Sequence, residues 1–165
     1  MTIKLIVLDV DGTLTDGSIC YGSNEIEMKS FNVKDGAVLK PLSKLGISVI
    51  FLTGRESEIT ARRAKELNIK AIQGVSNKKG VLTEYISEHG IKQEEILYIG
   101  DDINDYAAMK LCSFKACPAD AVNEIRNICD YTSPLAGGQG AVRDIIEMML
   151  RKHNKWNDFL DLYGA

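Results

Sequence analysis

Carboxylates, a hydroxyl and an ammonium group follow short apolar runs in this sequence of 165 residues. The groups that stand directly after these runs, or at the start of the next helix-like stretch, are Asp9, Asp11, Thr53, Lys78, Asp101 and Asp102. If the runs are parallel strands, their carboxyl ends meet at one edge of a sheet, which is where ligands bind in open α/β proteins. The sequence therefore predicts one site that combines acids, a hydroxyl and a cation.

These groups suit phosphoryl transfer to a carboxylate. Asp9 can attack phosphorus because a carboxylate is ionised at neutral pH and needs no activating base. Its approach to an anionic phosphate requires a hard cation, and Asp9 and Asp101 offer the oxygen ligands that Mg²⁺ prefers. Asp11 is placed to protonate the leaving oxygen and then to activate water. We therefore predict a magnesium-dependent phosphoryl-transfer site.

Three further groups can hold the phosphoryl oxygens in such a site. They are the Thr53 hydroxyl, the backbone N–H of Gly54 and the Lys78 ammonium. Donors of this kind neutralise charge where it develops during the reaction. A receiver domain uses a similar set of groups, but its phosphoacceptor follows its acidic pair on a later strand. The order in this chain disfavours that alternative.

Strand-like and helix-like patterns alternate along the chain and would position these groups. The predicted strands are Ile3–Leu8, Ile47–Leu52 and Ile96–Ile99, with weaker ones at 71–72, 113–116 and near Tyr131. The predicted helices lie at about 38–45, 59–67, 81–86, 119–127 and 141–152. Alternation of this kind predicts a Rossmann-like, doubly wound parallel α/β sheet, in one domain over residues 1–165.

One segment interrupts the alternation. Residues 18–32 carry apolar side chains on either side of Gly22-Ser23-Asn24, which predicts an inserted β-hairpin. The chain between Asp11 and Thr53 otherwise has room for only one helix, and the chain between Thr53 and Lys78 for one helix and a short strand. We therefore expect no cap domain over the site. An uncapped site is open to water, so either the substrate is macromolecular or another subunit closes the site.

The motifs resemble those of the haloacid dehalogenase superfamily. They are Asp9-Val10-Asp11-Gly12-Thr13, then Thr53, then Lys78, and finally Gly100-Asp101-Asp102 with Asp105. Asp11 is the feature that resembles the phosphatases of that superfamily rather than the dehalogenases. The resemblance implies that Asp9, Asp101 and the main-chain carbonyl of Asp11 bind the metal. It also implies that Asp102 lies beside these ligands and that Asp105 holds Lys78 or a metal-bound water.

Other segments resemble a capless subfamily of these phosphatases, which includes enzymes acting on 3-deoxy-D-manno-octulosonate (KDO) 8-phosphate. They are residues 31–36, 73–78 and 137–143. The resemblance implies hydrolysis of KDO 8-phosphate through an aspartyl-phosphate at Asp9. It also implies a homotetramer whose hairpins meet and whose neighbouring chains cover each site, with residues 137–143 or the apolar C-terminal tail as candidates for that contact.

Arg55 follows the Thr53-Gly54 motif and bears on the substrate. Phosphatases of nine-carbon sialic-type sugars in this subfamily tend to have a glutamate there, with a lysine about eleven residues on, where this chain has Glu66. Arg55 and Arg63 would suit the carboxylate of an acidic sugar, because a planar guanidinium can bind it through two hydrogen bonds. Alternatively, Arg63 belongs to a solvated helix face. The eight-carbon sugar phosphate is therefore the predicted substrate, and nine-carbon 9-phosphates are the alternative.

Composition limits the remaining functions. The net charge of −3 offers no broad basic surface for nucleic acid. No apolar run approaches the roughly 18 residues of a membrane span, and the first run is too short for a signal peptide, so we expect a cytoplasmic protein without a membrane partner. A phosphatase-like module without catalysis remains the alternative from another functional class.

Overall fold

The computed structural model describes residues 3–23 and 26–164. A sheet of six parallel strands forms its centre, and a separate antiparallel pair forms a small ribbon. The six strands are β1 Leu5–Leu8, β4 Ser48–Leu52, β5 Lys70–Ile72, β6 Ile96–Ile99, β7 Phe114–Cys117 and β8 Tyr131–Thr132. The ribbon consists of β2 Cys20–Tyr21 and β3 Glu27–Met28. The strand order β5-β4-β1-β6-β7-β8 places β1 near the middle of the sheet.

Helices cover both faces of the sheet. They are α1 Val33–Leu39, α2 Glu58–Leu67, α3 Lys78–Glu88, α4 Ile103–Met109, α5 Asn123–Arg126, α6 Ala141–Lys152 and α7 Trp156–Asp161, with 3₁₀ helices at Lys40–Leu45 and Gln93–Glu95. Alternate residues of β1 enter opposite cores because side chains alternate across a strand: Ile6 and Leu8 pack in one, and Leu5 and Val7 in the other. The predicted doubly wound parallel α/β fold is confirmed.

The register of the sheet brings the motif residues together. Leu8, the last residue of β1, is paired with Phe51 of β4 on one side and with Ile99 of β6 on the other. Asp9 therefore leaves the sheet beside Leu52 and Gly100, one residue before Thr53 and Asp101. Parallel pairing converts three motifs that are distant in sequence into one edge.

Two predicted helices differ from those observed. The predicted helix at 38–45 is α1 followed by a 3₁₀ turn that contains Pro41, whose ring cannot donate a backbone hydrogen bond. The predicted helix at 119–127 contracts to α5, because two of its N–H groups bond elsewhere: Ala119 donates to Leu135 O and Val122 to Asp101 O. The second bond ties α5 to the site.

The inserted hairpin is present. Cys20 pairs with Met28 and Tyr21 with Glu27, while the predicted turn at residues 22–24 includes Asn24, which lies outside the described residues. Between Asp11 and β4, the helices and strands of the described residues are this ribbon, α1 and a 3₁₀ helix. No described helix is long and apolar enough to cross a membrane.

The apolar C-terminal tail docks on its own chain. Trp156 and Phe159 of α7 are buried in the core that also holds α6, and their rings stack 5.1 Å apart. Tyr163 donates a hydrogen bond to Ala37 O at 2.9 Å. Contact of the tail with a neighbouring chain stays a prediction.

Candidate active site

Asp9 and Lys78 form a buried ion pair at the end of β1. Lys78 Nζ lies 2.8 Å from Asp9 Oδ1 and 2.7 Å from Asp105 Oδ1. Lys78 is the first residue of α3, after a turn in which Asn77 accepts a hydrogen bond from Gly80 N. Of the two roles anticipated for Asp105, the geometry shows contact with Lys78.

Asp105 is fully hydrogen-bonded, and one of its partners was not anticipated from the sequence. Tyr98 OH donates to Asp105 Oδ1 at 2.8 Å, and the backbone N–H of Asp101 donates to Asp105 Oδ2 at 3.2 Å. Tyr98 lies inside an apolar strand, where its position indicates core packing. Only its hydroxyl contact with Asp105 distinguishes it from a structural tyrosine. The described contacts make Asp105 the anchor of Lys78.

Asp101 lies on the other side of the cluster. Thr13 Oγ1 donates to Asp101 Oδ1 at 2.7 Å, and the main chain of Gly12 packs so closely that a Cβ at this residue would overlap the Asp101 carboxylate. Gly12 also has a φ of 95°, which glycine adopts without strain. The two halves of the site, after β1 and after β6, are thus in direct contact.

The cluster has more negative than positive charge. Burial and the neighbouring Asp105 carboxylate raise the pKa of Asp9 to about 8, against the opposing effect of Lys78. Burial also raises the pKa of Asp101 to about 7, against the hydrogen bond from Thr13. Asp9, Asp101 and Asp105 each have an oxygen within 4.8 Å of the others. The Lys78 ammonium is the cation that contacts this group of three carboxylates. Such a set fits a divalent cation with oxygen ligands.

Asp105 fits a metal ligand less well than the other two acids. Both of its oxygens already accept hydrogen bonds, from Lys78 and Tyr98 on one side and from backbone N–H groups on the other. The carboxylate of Asp11 points to other partners, described below. A metal set of Asp9, Asp101 and the Asp11 carbonyl therefore stays a prediction that is compatible with these contacts.

Thr53 and Gly54 directly follow β4, the strand that neighbours β1 in the sheet. Thr53 is buried. Its backbone N–H donates to Ile72 O of β5, and its carbonyl accepts from Val75 N in the loop that follows β5. A Cβ added to Gly54 would lie 3.6 Å from Val75 O and 3.8 Å from the Asn104 amide. The motif thus lies between the loop that precedes α3 and the first turn of α4.

Asp102 caps a helix. Its Oδ1 accepts from the N–H of Ile103 at 2.7 Å, and it forms a reciprocal capping pair with Asp105 at the start of α4. This contact positions Asp105, which in turn contacts Lys78.

The Asp11 carboxylate faces the hairpin. Lys29 Nζ, from the residue after β3, lies 2.6 Å from Asp11 Oδ1, and Arg55 Nε lies 4.0 Å from Asp11 Oδ2. Arg55 also contacts Glu27 at 3.5 Å and the Tyr21 hydroxyl at 3.3 Å. Lys29 was missed from the sequence, because a lysine at the end of a β-hairpin is ordinarily a surface residue and nothing local marks it.

Arg63 lies in a different environment. Its guanidinium donates to Asn32 O at 3.5 Å, lies 3.4 Å from Glu66 and sits over the Phe31 ring. These contacts join α2 to the segment that follows the hairpin. Substrate binding by Arg63 is not tested by them and stays a prediction.

Residues 137–143 pack against the loop that follows Asp9. Gly138 N donates to Thr13 O at 3.3 Å, and Gly137 N donates to Asp120 Oδ1 at 2.9 Å. Arg143 donates its backbone N–H to buried Asp35 and pairs its side chain with Glu147. This segment therefore supports the site of its own chain, while contact with a neighbouring chain is untested.

Comparison with known proteins assigns the family. Residues 58–146 match the model of the haloacid dehalogenase-like hydrolases. The chain is 35% identical over 157 residues to 3-deoxy-D-manno-octulosonate 8-phosphate phosphatase KdsC of Escherichia coli, covering 94% of this chain and 84% of the relative.

Solved structures agree with this assignment. The KDO 8-phosphate phosphatase of Moraxella catarrhalis, in complex with magnesium, phosphate and KDO, is similar with a TM-score of 0.93 and 38% identity, over 98% of this chain and 93% of that one. The cobalt-bound form of the Haemophilus influenzae enzyme gives 0.89 and 36%, over 94% and 91%. The chain therefore belongs to the haloacid dehalogenase-like hydrolase family.

Proposed function

We propose that this protein is a magnesium-dependent phosphomonoesterase that hydrolyses KDO 8-phosphate to KDO and inorganic phosphate. The observation that carries the proposal is the buried Asp9 carboxylate at the end of β1, with Lys78 2.8 Å away and Asp101 in the same cluster. A nucleophile, a cation and a metal ligand lie where the main chain leaves the sheet. The family and the substrate of its relatives support the same activity.

Mg²⁺ would be held by Asp9, Asp101 and the main-chain carbonyl of Asp11. When bound, it would offset the repulsion between the Asp9 carboxylate and the phosphate and would stabilise the charge of the transition state. The excess of carboxylates over ammonium groups in the cluster supports this set.

Hydrolysis proceeds in two steps on this chain's residues. An Asp9 oxygen attacks phosphorus, the bond from phosphorus to the ester oxygen breaks, and Asp11 gives its proton to that oxygen. Asp11 then takes a proton from water, whose oxygen attacks the phosphorus of the aspartyl-phosphate and releases phosphate and the Asp9 carboxylate. Lys78, Thr53 and the Gly54 N–H hold the phosphoryl oxygens throughout.

The eight-carbon sugar acid is favoured by the relatives and by Arg55. The Moraxella catarrhalis structure contains KDO, and here Arg55 lies beside Asp11 with a side chain that is 42% exposed. A half-exposed guanidinium next to the general acid is available to the carboxylate of a substrate.

We also propose a homotetramer held by the hairpin. Tyr21, Ile26 and Met28 are 72%, 53% and 57% exposed, so the ribbon carries an apolar surface that the described residues of one chain leave open. Such patches mark interfaces. A neighbouring chain on this surface would also reduce the access of water to the uncapped site.

Substitution of the nucleophile tests the reaction. Asp9→Asn is nearly isosteric and should remove turnover of p-nitrophenyl phosphate in the presence of Mg²⁺, while circular dichroism stays unchanged. Turnover that persists in this variant would exclude an aspartyl-phosphate at Asp9. A wild-type chain that binds the sugar phosphate without metal-dependent hydrolysis would instead indicate a non-catalytic module.

A steady-state comparison tests the substrate. The kcat/KM for KDO 8-phosphate should exceed that for a nine-carbon sialic-type 9-phosphate, and Arg55→Lys should raise KM for KDO 8-phosphate more than for an ester without a carboxylate. A higher kcat/KM for the nine-carbon ester would contradict the assignment to KDO 8-phosphate.

A further inference from the structure

We propose that Lys29, on the hairpin, is the positioning residue for the general acid of the proposed phosphatase: it holds Asp11 Oδ1 so that Asp11 Oδ2 faces the ester oxygen of the substrate. This inference rests on the proposed function and adds a residue and an atom to it. No motif of the sequence assigns a role to Lys29. It also gives the hairpin a role in positioning the general acid, in addition to its proposed role in the homotetramer.

The contact between Lys29 and Asp11 is short and shielded. Lys29 Nζ lies 2.6 Å from Asp11 Oδ1, and the side chain of Lys29 is 0% exposed. The residue before it, Met28, is 57% exposed, so the ribbon turns one side chain inward at this point. A lysine loses considerable rotamer freedom when it is held in a single geometry. A buried and charge-paired lysine on an otherwise exposed ribbon therefore indicates a specific task.

The second oxygen of Asp11 is free to accept a hydrogen bond. Asp11 Oδ2 is buried and accepts no hydrogen bond from the residues that the structure describes. Arg55 Nε lies at 4.0 Å, which is too far for a hydrogen bond. A buried polar oxygen without a partner is costly. Here the oxygen belongs to the residue that exchanges a proton with substrate and water, so a ligand can supply the missing partner.

Glu27 lies near the cations around Asp11, and its Oε1 accepts no hydrogen bond from the described residues. Its Oε1 lies 3.8 Å from Lys29 Nζ and 3.5 Å from Arg55 Nη2. Lys29 and Arg55 therefore lie between two carboxylates, one from β3 and one from the loop after β1. This alternation of charge links the hairpin to the site through ion pairs.

The arrangement has a specific effect on the first step. When Asp9 attacks and the ester bond breaks, the electron pair of that bond moves to the ester oxygen, which takes the proton from Asp11 Oδ2. Asp11 becomes a carboxylate, and the Lys29 ammonium at Oδ1 balances its new charge. An acid that is free to rotate would lose the alignment of Oδ2, and misplacement by about 1 Å costs on the order of 100-fold in rate.

The leaving group separates this role from a structural one. An alkoxide needs a proton to leave, whereas p-nitrophenolate leaves without one. We would measure kcat/KM, which reports phosphoryl transfer to Asp9, for KDO 8-phosphate, for glycerol 1-phosphate and for p-nitrophenyl phosphate. The enzymes would be wild type, Lys29→Met, Lys29→Gln and a control, Lys65→Met, which removes an exposed lysine from α2.

The Lys29 variants should lower kcat/KM for both alkyl esters by about 10- to 100-fold and for the aryl ester by less than about threefold. The control should change none of the three. Lys29→Gln keeps a polar side chain in the buried position, so it provides the same readout if Lys29→Met does not fold.

Equal losses on all three esters, or no loss on any, would overturn the inference, because Lys29 would then act on folding or on nothing in the reaction. A loss confined to KDO 8-phosphate would also overturn it, since it would show that Lys29 binds the sugar carboxylate. Failure of the proposed function is distinct: the wild-type chain would then hydrolyse none of the esters.

Discussion

The α-carbon of Gly137 packs directly against the main-chain carbonyl of Gly12. A Cβ at residue 137 would overlap that oxygen and would lie 2.8 Å from Thr15 O. Gly12 belongs to the loop that follows Asp9, so the glycine-rich segment near the end of the chain fixes the backbone of the nucleophile loop. Only a residue without a side chain allows this approach.

Gly137→Ala should therefore lower activity more than its small size suggests. The methyl group would displace the loop at Gly12, which packs against the Asp101 carboxylate. We expect kcat to fall by about 100-fold, as displacements near 1 Å do in active sites. Gly90→Ala is the control, because a Cβ there meets no atom within 4 Å and its left-handed φ of 62° adds only local strain. Similar kcat values for the two variants would contradict the packing argument.

Magnesium binding should depend on Asp101 and not on the charge of Asp105. Mg²⁺ at about 100 times its dissociation constant stabilises a folded protein by about 2.7 kcal/mol. We therefore expect Mg²⁺ to raise the Tm of wild type. The rise should be lost in Asp101→Asn and kept in Asp105→Asn. Both oxygens of Asp105 are already hydrogen-bonded, whereas Asn at residue 101 keeps the acceptor for Thr13 but loses the charge.

Differential scanning fluorimetry with and without Mg²⁺ measures these shifts. Asp105→Asn should have a lower Tm than wild type in either condition, because Lys78 loses one of its two charged partners and the backbone N–H of Asp101 loses its acceptor Oδ2. A variant at residue 105 that no longer responds to Mg²⁺ would show that Asp105 is a ligand.

The sequence predicts the fold and the site residues at the strand ends, but it does not predict the residues that surround the general acid Asp11. Strand ends are marked locally: an apolar run stops at Asp9 or at Gly100-Asp101, and parallel register does the rest. The contact between Lys29 and Asp11 joins residues 18 positions apart through the twist of a hairpin. No spacing rule predicts that geometry. Tyr98 was missed for a similar reason. A tyrosine whose hydroxyl bonds to a site residue and one that only packs in the core have the same sequence pattern.

Boundaries failed where backbone hydrogen bonds were diverted. The predicted helix from residue 119 begins only at Asn123, because the N–H of Val122 bonds to Asp101 O across the chain. A pattern of apolar side chains cannot report a partner for a backbone group. The position of Arg63 next to Arg62 is similarly ambiguous, since it fits either a solvated helix face or a contact with a ligand.

Asp35 should make stability depend on pH. It is buried on α1, its Oδ1 accepts from Arg143 N at 2.7 Å, and its Oδ2 is buried without a hydrogen-bond partner among the described residues. Burial raises its pKa to about 6, opposed by the bond from Arg143 and the charges of Arg63 and Arg143. The folded chain therefore keeps this proton at pH values where the unfolded chain has lost it.

The sign follows from that difference. Between about pH 4 and pH 6 the folded state binds more protons at Asp35, so stability falls as pH rises through this window and stays lower above it. Asp35→Asn keeps the Oδ1 acceptor without the charge. At pH 7 it should be more stable than wild type by at most about 3 kcal/mol, with the gain vanishing near pH 4.

Urea unfolding at pH 4 and pH 7 measures this gain. Asp35→Ala separates the charge from the hydrogen bond, because it removes the acceptor that serves the first turn of α6 and should lack the full gain of the Asn variant at pH 7. An Asn variant whose stability relative to wild type is the same at both pH values would contradict the argument.

The hairpin surface should control assembly and, through it, activity. Ile26 and Met28 are more than half exposed on the ribbon, and Val33 just beyond it is 77% exposed. Met28→Glu places a charge in the apolar surface without touching Lys29 or Asp11, because Met28 is 57% exposed whereas the Lys29 side chain is buried. Light scattering of the wild type should give a mass near four chains of 18.2 kDa, and the variant should give a smaller mass. If neighbouring chains close the site, the variant's kcat/KM should fall with its mass and recover at high protein concentration. A fully active monomer would contradict both the tetramer and the role of the hairpin in closing the site.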